Sequence, residues 1–377
     1  MSIKAESSFA LKDHLFNAES LARLSSRIAT AHPVFPRKRF EHAALKRFPH
    51  LELKERIAWI VTCLEPHLPR ELPAALDILH RSLPEPLDPT RQDDDFGEFI
   101  WVVPGEYAAK HGCTAEHLRL SLDFLRQATK RFSSEAAIRP FLRAFPDETL
   151  TFLRECAGDA NYHVRRLASE GVRPLLPWAP RVDLPLPEVV AMLEALHADP
   201  TRYVTRSVAN CLNDVSKQDG ELAIATLQRW REARRQRERE LEWMTRHALR
   251  TLVKLDDVRA LELLGYPTRP EFRLTNLHAT PAVAVGEAFQ WRCVLRSGAA
   301  QRLKIALRIH FLKANGRHSP KVFRVADANL DRGERLTIHK RLPLRPATTR
   351  TLYPGTHYAE LVVNGVARHR RPFELTA

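Results

Sequence analysis

Two glutamates stand in rows of residues that otherwise suit a polyanion. If FSSEAAIRPFLR is helical, Glu135, Arg139 and Arg143 share one face, opposite Ala137, Ile138 and Phe141. In HVRRLASEGVR the same rule puts Arg166, Glu170 and Arg173 opposite Val164, Leu167 and Ala168. Arginine forks match phosphate oxygens bidentately, so such rows fit a nucleic-acid backbone. A carboxylate among them would repel that backbone unless something else needs negative charge there. A sugar that becomes oxocarbenium-like as its glycosidic bond breaks is such a need, and a carboxylate beside it can also orient or deprotonate water. Glu135 and Glu170 are therefore the candidate catalytic residues. Each has an arginine four residues away, so an ordinary helix-surface ion pair explains it as well. Asp159, Asp199 and Asp214 are weaker candidates, the first two because aspartate at the head of a helix acts as an N-cap.

The rows continue downstream as Arg206, Asn210, Asn213 and Lys217, then as Arg246, Arg250 and Lys254. Together with Arg139, Arg165, Arg166 and Arg173 they are expected to form one strip that tracks a DNA duplex through its phosphates without reading sequence. The competing explanation is that any solvated helix face carries charges at this spacing, usually as mixed-sign pairs. Trp178, closing RPLLPW, is either a surface on which a damaged nucleotide stacks or inter-repeat packing. Other chemistry has no support. There is no GxxxxGK[ST] loop, no GxGxxG after a strand, no HExxH and no GxSxG. The 17 histidines form no ligand series, so neither a metal nor a cofactor is expected.

The elements that must position these residues show a repeat. Val164, Arg166 and Ala168 recur about 40 residues on as Val204, Arg206 and Val208, and again as Met244, Arg246 and Ala248. That period matches HEAT-type helix pairs, which must stack to bury their apolar faces. First helices are expected in ETLTFLREC, PEVVAMLEALH and ELAIATLQRW, and second helices at about 134–144, 161–173, 201–216 and 238–254. From about 270 the pattern alternates in short runs such as FQWRCVLR, LKIALRIHF, RLTIHKRL and HYAELVVNG. The fold expected is mainly α: a HEAT-like superhelix over 1–268, then an all-β immunoglobulin-like sandwich over 269–377.

Composition agrees with a polyanionic partner. The 377 residues carry 59 Lys+Arg against 45 Asp+Glu, a formal charge of +14. The five cysteines are far apart with no metal spacing, so reduced thiols are expected. The start, MSIKAESSFALKDHLF, does not read as a leader, and no apolar run of membrane length occurs, so no membrane partner and a cytoplasmic location are expected.

The residues also suggest a family. TKRFSSEAAIRPFL, DANYHVRRLASEGVRPLLPW, YVTRSVANCLNDVSK and TRHALRTLVK resemble the AlkC branch of the AlkC/AlkD-type DNA alkylation repair glycosylases, and RTLYPGTHYAELVVNG from Arg350 is similar to that branch's immunoglobulin-like domain. The resemblance covers roughly residues 95–377. It implies a base-excision enzyme that hydrolyses the N-glycosidic bond of cationic bases such as N3-methyladenine and N3-methylcytosine in duplex DNA, without flipping the base into a deep pocket. By position, the family's site arginine falls on Arg166 and its acid on the helix bearing Glu135. The tryptophan of the following repeat in the AlkD branch has no counterpart; Asn210 or Asn213 stands in that region.

No lysine is marked by motif as a Schiff-base nucleophile, so a monofunctional glycosylase is expected, acting as a monomer whose groove admits a duplex. A non-catalytic HEAT-repeat protein gripping damaged or bent DNA would need the arginines and not the glutamates. A scaffold for a protein partner would carry apolar ridges in place of arginine rows.

Overall fold

The computed structural model describes residues 10–93, 95–345 and 351–377. The first nine residues of the chain start and Arg350, which opens the RTLYPG motif, lie outside them. The helical part comprises α1 (Leu11–Leu15), α2 (Ala18–Ala31), α3 (Arg37–Arg47), α4 (Leu53–Leu64), α5 (Leu72–Ser82), α6 (Val102–Gly112), α7 (Leu118–Ala128) and α8 (Arg139–Ala144). It continues with α9 (Pro146–Ala157), α10 (Tyr162–Gly171), α11 (Leu186–Leu196), α12 (Arg202–Ser216), α13 (Gly220–Ala233), α14 (Glu238–Ala248), α15 (Arg250–Lys254) and α16 (Val258–Leu263).

Local chemistry sets many of these boundaries. Asn17 caps α2 by accepting from the amides of Glu19 and Ser20, while the Ser20 hydroxyl accepts from the Asn17 amide. Proline occupies the first turn of α5, α8, α9 and α11, where its missing donor costs nothing. The forty-residue periodicity is one of packing. Val164 and Val204, like Ala168 and Val208, are fully buried at equivalent phases of α10 and α12. A polar ladder repeats with the same spacing: Asp159 takes the Arg126 guanidinium and the Asn161 amide, and Asp199 takes those of Arg165 and Thr201. Each aspartate thus turns the chain into the next helix and pins an earlier one, α7 for Asp159 and α10 for Asp199.

The change to strands falls in a linker between Leu263 and Phe272. Compactness divides the chain elsewhere. One unit comprises residues up to 215 with 235–237, and the other comprises 216–234 with 238–377. The second unit therefore joins α13–α16 to the sandwich. Its strands are β1 (Phe272–Ala279), β2 (Ala282–Ala284), β3 (Ala288–Ser297), β4 (Gln301–Leu312), β5 (His318–Leu330), β6 (Arg335–Pro343), β7 (Gly355–Val363) and β8 (Val366–Thr376). They form sheets ordered β1-β3-β6 and β2-β8-β7-β4-β5, antiparallel except for β2 beside β8. Alternation in β3 turns Phe289, Trp291, Cys293 and Leu295 into the core, against Leu303, Ile305, Leu307 and Ile309 of β4.

The reason this unit crosses the linker is electrostatic. Asp256, buried after α15, receives Lys304 and Arg308 from β4, and Arg308 also pairs with Glu360 of β7 at 3.0 Å. Asn364 ties the linker to the sheet, donating to the Pro267 carbonyl (3.0 Å) and accepting from the Lys304 amide (2.8 Å).

Candidate active site

The residues around Glu135 form a turn rather than the helical face expected for 134–144; α8 begins only at Arg139. Pro140 has no amide hydrogen to give to a helix begun upstream, whereas in the first turn of α8 that missing donor costs nothing, so regular helix starts late. The Ser133 hydroxyl accepts from the Glu135 amide (3.4 Å) and donates to its carboxylate (2.9 Å), which fixes the side chain locally.

From α10, Arg166 reaches across. Its Nη1 donates to Glu135 Oε2 at 2.9 Å and to Ser133 Oγ at 3.0 Å, and its Nη2 lies 3.4 Å from Glu170 Oε1. The Tyr203 ring covers the guanidinium at 4.5 Å. Burial alone would raise the Glu135 carboxyl, but the charge of Arg166 and its hydrogen bonds outweigh this and hold it below the usual carboxylate range. Glu135 is thus an anion. Both of its recorded hydrogen bonds fall on Oε2; Oε1 has none among the described residues.

Glu170 is placed differently. Its side chain is 3% exposed against 29% for Glu135. Its two oxygens are taken by Arg166 and by Arg173 at 2.9 Å, and Arg173 is in turn held by Asp214 at 3.0 Å. The carboxylate is a buried strut between two guanidinium groups. Burial disfavours the charge on Arg173, but Glu170 and Asp214 more than offset this and hold it ionised.

Trp178 is 66% exposed, and its φ of 62° lies in the left-handed region that costs a bulky residue energy. What holds it there is Arg139. Fully buried, Arg139 donates to the carbonyls of Gly171 (2.9 Å), Arg173 (3.0 Å) and Pro180, lacing both ends of the loop that carries the tryptophan. Burial, with the like charge of Arg173, pulls its guanidinium down to about 10.

These groups border one cleft of about 580 Å³, lined by Glu135, Arg166, Trp178 and Tyr203 together with Phe96, Phe99 and Phe132. Its far wall is made by α4 and α6, which contribute Lys54 and Glu106. Neither residue was singled out in the sequence; the one available signal for Glu106 was a lone acid in the apolar run VVPGEYAA.

The expected strip of cations needs correction. Arg139, Arg173 and Asn213 are buried rather than solvent-facing. Extrapolating a helical wheel failed at both ends: α8 starts at Arg139, and α10 ends at Gly171, so the phase is lost before Arg173. Arg165 is bound bidentately by Asp199 (2.5 and 3.2 Å), and Arg166 is enclosed by glutamates. Arg206 pairs with Asp93, and Asn210 is half-buried. Lys217 is exposed, as are Arg246, Arg250 and Lys254 on the second unit. Among the described residues, no group of three or more His, Cys, Asp and Glu side chains could hold a metal, and no helix is long and apolar enough to cross a membrane. All five cysteines are free thiols.

This arrangement has relatives. Residues 273–377 match the family described as the C-terminal Ig-like domain of the uncharacterised protein YhaZ. YhaZ of Bacillus subtilis (strain 168) is 30% identical over 367 residues, 96% of this chain and 98% of that one. Among solved structures, the Pseudomonas fluorescens alkylpurine DNA glycosylase AlkC, bound to DNA containing an abasic site analog, superposes with a TM-score of 0.76 at 31% identity. That likeness covers 98% of this chain and 100% of AlkC. Likeness over the full length of both relatives, helices and sandwich alike, makes this chain a member of the AlkC and YhaZ family.

Proposed function

We propose that this protein is a monofunctional DNA glycosylase that removes cationic N-alkylated bases from duplex DNA by hydrolysis, with Glu135 as its catalytic carboxylate. The observation that carries this reading is the Glu135 geometry: an anion locked through one oxygen by Arg166 and Ser133, with its other oxygen unpaired among the described residues, in a cleft bordered by an exposed tryptophan. A base alkylated on a ring nitrogen is already positive, so breaking the C1′–N bond sends the bonding pair to the base, which leaves neutral without a strong general acid. The sugar takes on the positive charge. Glu135 stabilises it electrostatically and accepts a proton from the water that attacks C1′. The bond Arg166 makes to Oε2 keeps the carboxylate in place and ionised for that step. Trp178 at the cleft border offers a face for the lesion-bearing nucleotide, so the base need not be swung into a deep pocket.

Glu170 drops out as the reacting group, because a carboxylate enclosed between two arginines reaches neither sugar nor water. It positions Arg166. The AlkC likeness supports the DNA partner and the alkylated purine substrate; N3-methylcytosine remains part of the proposal through the sequence resemblance. The protein is proposed to act as a monomer, and to bind DNA through its exposed cations.

The test is release of methylated base from alkylated duplex DNA by purified protein, with Glu135→Gln and Glu170→Gln alongside. Glu135→Gln should lower the single-turnover rate by about 10²–10³ with duplex affinity kept within a few fold. Strands should stay intact until alkali is added. Release by Glu135→Gln at the parent rate would remove the assignment, and tight binding by a parent protein that releases nothing would favour a non-catalytic reader of damaged DNA.

A further inference from the structure

The cleft holds a second carboxylate that the reaction above does not use. Glu106 projects from α6, whose neighbouring side chains Val102, Val103, Tyr107 and Ala108 are buried. Among the described residues it has no hydrogen-bond or ion-pair partner, although it is half-buried and faces a mainly apolar lining. A carboxyl group left unpaired in such surroundings is costly to ionise, and burial pushes this one above its ordinary value while Lys54 on α4 opposes the shift. Gly105 marks how near α6 lies to the catalytic turn, at ordinary van der Waals range. A β-carbon there would sit 3.6 Å from both Ser134 Oγ and Ala137 Cβ, the residues that bracket Glu135. Glu106 and Glu135 therefore line one cleft from two adjoining elements, one carboxylate paired with Arg166 and the other, among the described residues, in no ion pair.

We propose that Glu106 is the specificity residue that recognises the positive charge of the alkylated base, supplying the anion with which the base cation pairs in the apolar part of the cleft. The proposal rests on the glycosylase reading. An unmodified neutral base offers Glu106 nothing, whereas a cationic base supplies the partner the carboxyl lacks, in surroundings where charge pairing is strong. Once the glycosidic electron pair has passed to the base, the base is neutral, the pairing is lost, and the product is no longer held by charge. The charged groups lining the cleft are Lys54, Glu106, Glu135 and Arg166, with Tyr203 as a further titratable group. Glu106 is the acid among them without a paired cation.

The experiment compares two duplex probes at pH 6, one with 2′-fluoro-7-methylguanosine, which is cationic and resists cleavage, and one with neutral 2′-fluoroguanosine. Affinities are measured for the parent, Glu106→Gln and Lys54→Gln, with melting temperature as a check on folding. The parent should prefer the cationic probe by about tenfold or more, and Glu106→Gln should reduce the preference to within about twofold while binding the neutral probe like the parent. Lys54→Gln, at an exposed position, should enlarge the preference by about threefold because the competing cation is gone. On 3-methyladenine duplex, Glu106→Gln should raise KM more than it lowers kcat. A parent without preference, or a folded Glu106→Gln that keeps it, overturns the proposal; if Glu106→Gln does not fold, an unchanged preference in Lys54→Gln does so. Because the probes are not cleaved, these outcomes are separate from a failure of the glycosylase reading, which shows as absence of base release by the parent.

Discussion

At the scale of single residues, the two glutamates that looked alike in the sequence have different consequences. Removing the Glu170 charge leaves Arg166 and Arg173 facing each other across a buried gap, so Glu170→Gln should cost about 3 kcal/mol of stability. Urea unfolding should show this loss, and the cleavage defect of Glu170→Gln should shrink at low temperature where the fold is retained. Glu135→Gln, at the cleft, should melt within a few degrees of the parent. His163 adds a pH response of its own. Tilted against Tyr162 and edge-on to Tyr203, with its Nε2 unpaired among the described residues, it is lowered to about 4, first by burial and then by Arg166. The folded state binds this proton less readily than the unfolded state, whose value is near 6.5. Its stabilising contribution is therefore complete above pH 6.5 and is lost as pH falls towards 4. Between pH 7 and 4.5 the parent should lose about 2 to 3 kcal/mol more stability than His163→Gln, as read by unfolding at both pH values. Equal losses would show that His163 takes up its proton in the fold as readily as in the unfolded chain.

At the scale of elements, the loop that presents Trp178 is held from below by a residue the sequence placed on the surface. Arg139→Met keeps the stem of the side chain and removes three hydrogen bonds to carbonyls of the 171–180 segment. It should destabilise the fold by about 2 to 4 kcal/mol and increase amide exchange in that segment before α10 itself is affected. Trp178→Ala, by contrast, should leave stability almost unchanged, since the side chain is 66% exposed, and lower base release by about tenfold or more. An equal loss of stability in both variants would mean that the tryptophan packs rather than presents. The difference between Arg139 and Trp178 shows what was legible. Helix pairs, their forty-residue period and the strands β3, β4, β6 and β7 follow from apolar spacing, because burial is a property of the pattern. The direction of Arg139 is not, because it depends on where α8 begins, and Pro140 moves that start. Glu135 was found by charge pattern, yet its locking by Ser133 and Arg166 joins residues 31 to 33 positions apart, which no single helical wheel represents. Glu106 and Lys54 were missed for the same reason: they enter the cleft from α6 and α4, outside the repeat that drew attention.

At the scale of the whole molecule, the formal charge of +14 was legible, but its distribution between internal pairs and exposed cations was not. Arg126, Arg165, Arg166 and Arg173 are each matched to a carboxylate inside the fold, so these charges hold the repeats together and are poorly available to phosphate. DNA affinity should consequently fall with salt along a slope set by the exposed cations, about −4 to −6 in log K against log salt, not the steeper slope that a strip of every basic residue would give. The exposed set includes Arg246, Arg250 and Lys254 in the unit that also contains the sandwich. Whether the sandwich itself contacts DNA therefore cannot be read from its removal alone. A chain ending at 268 removes Lys304 and Arg308 from the buried Asp256. Uncompensated, that carboxylate should cost about 3 to 5 kcal/mol. The truncated protein should therefore lose amide protection throughout α13–α16 and bind DNA more weakly even if no sandwich residue touches DNA. Lys304→Met with Asp256→Asn in the full chain separates the two effects, because it removes the buried Lys304–Asp256 pair, leaves Arg308 its Glu360 partner, and keeps every exposed basic residue of β5 and β8. If that double variant keeps the parent salt slope while the truncation at 268 flattens it by one or more, the sandwich supplies phosphate contacts of its own; if the truncated chain keeps its protection in α13–α16, the buried aspartate network is not what joins helices to sheet.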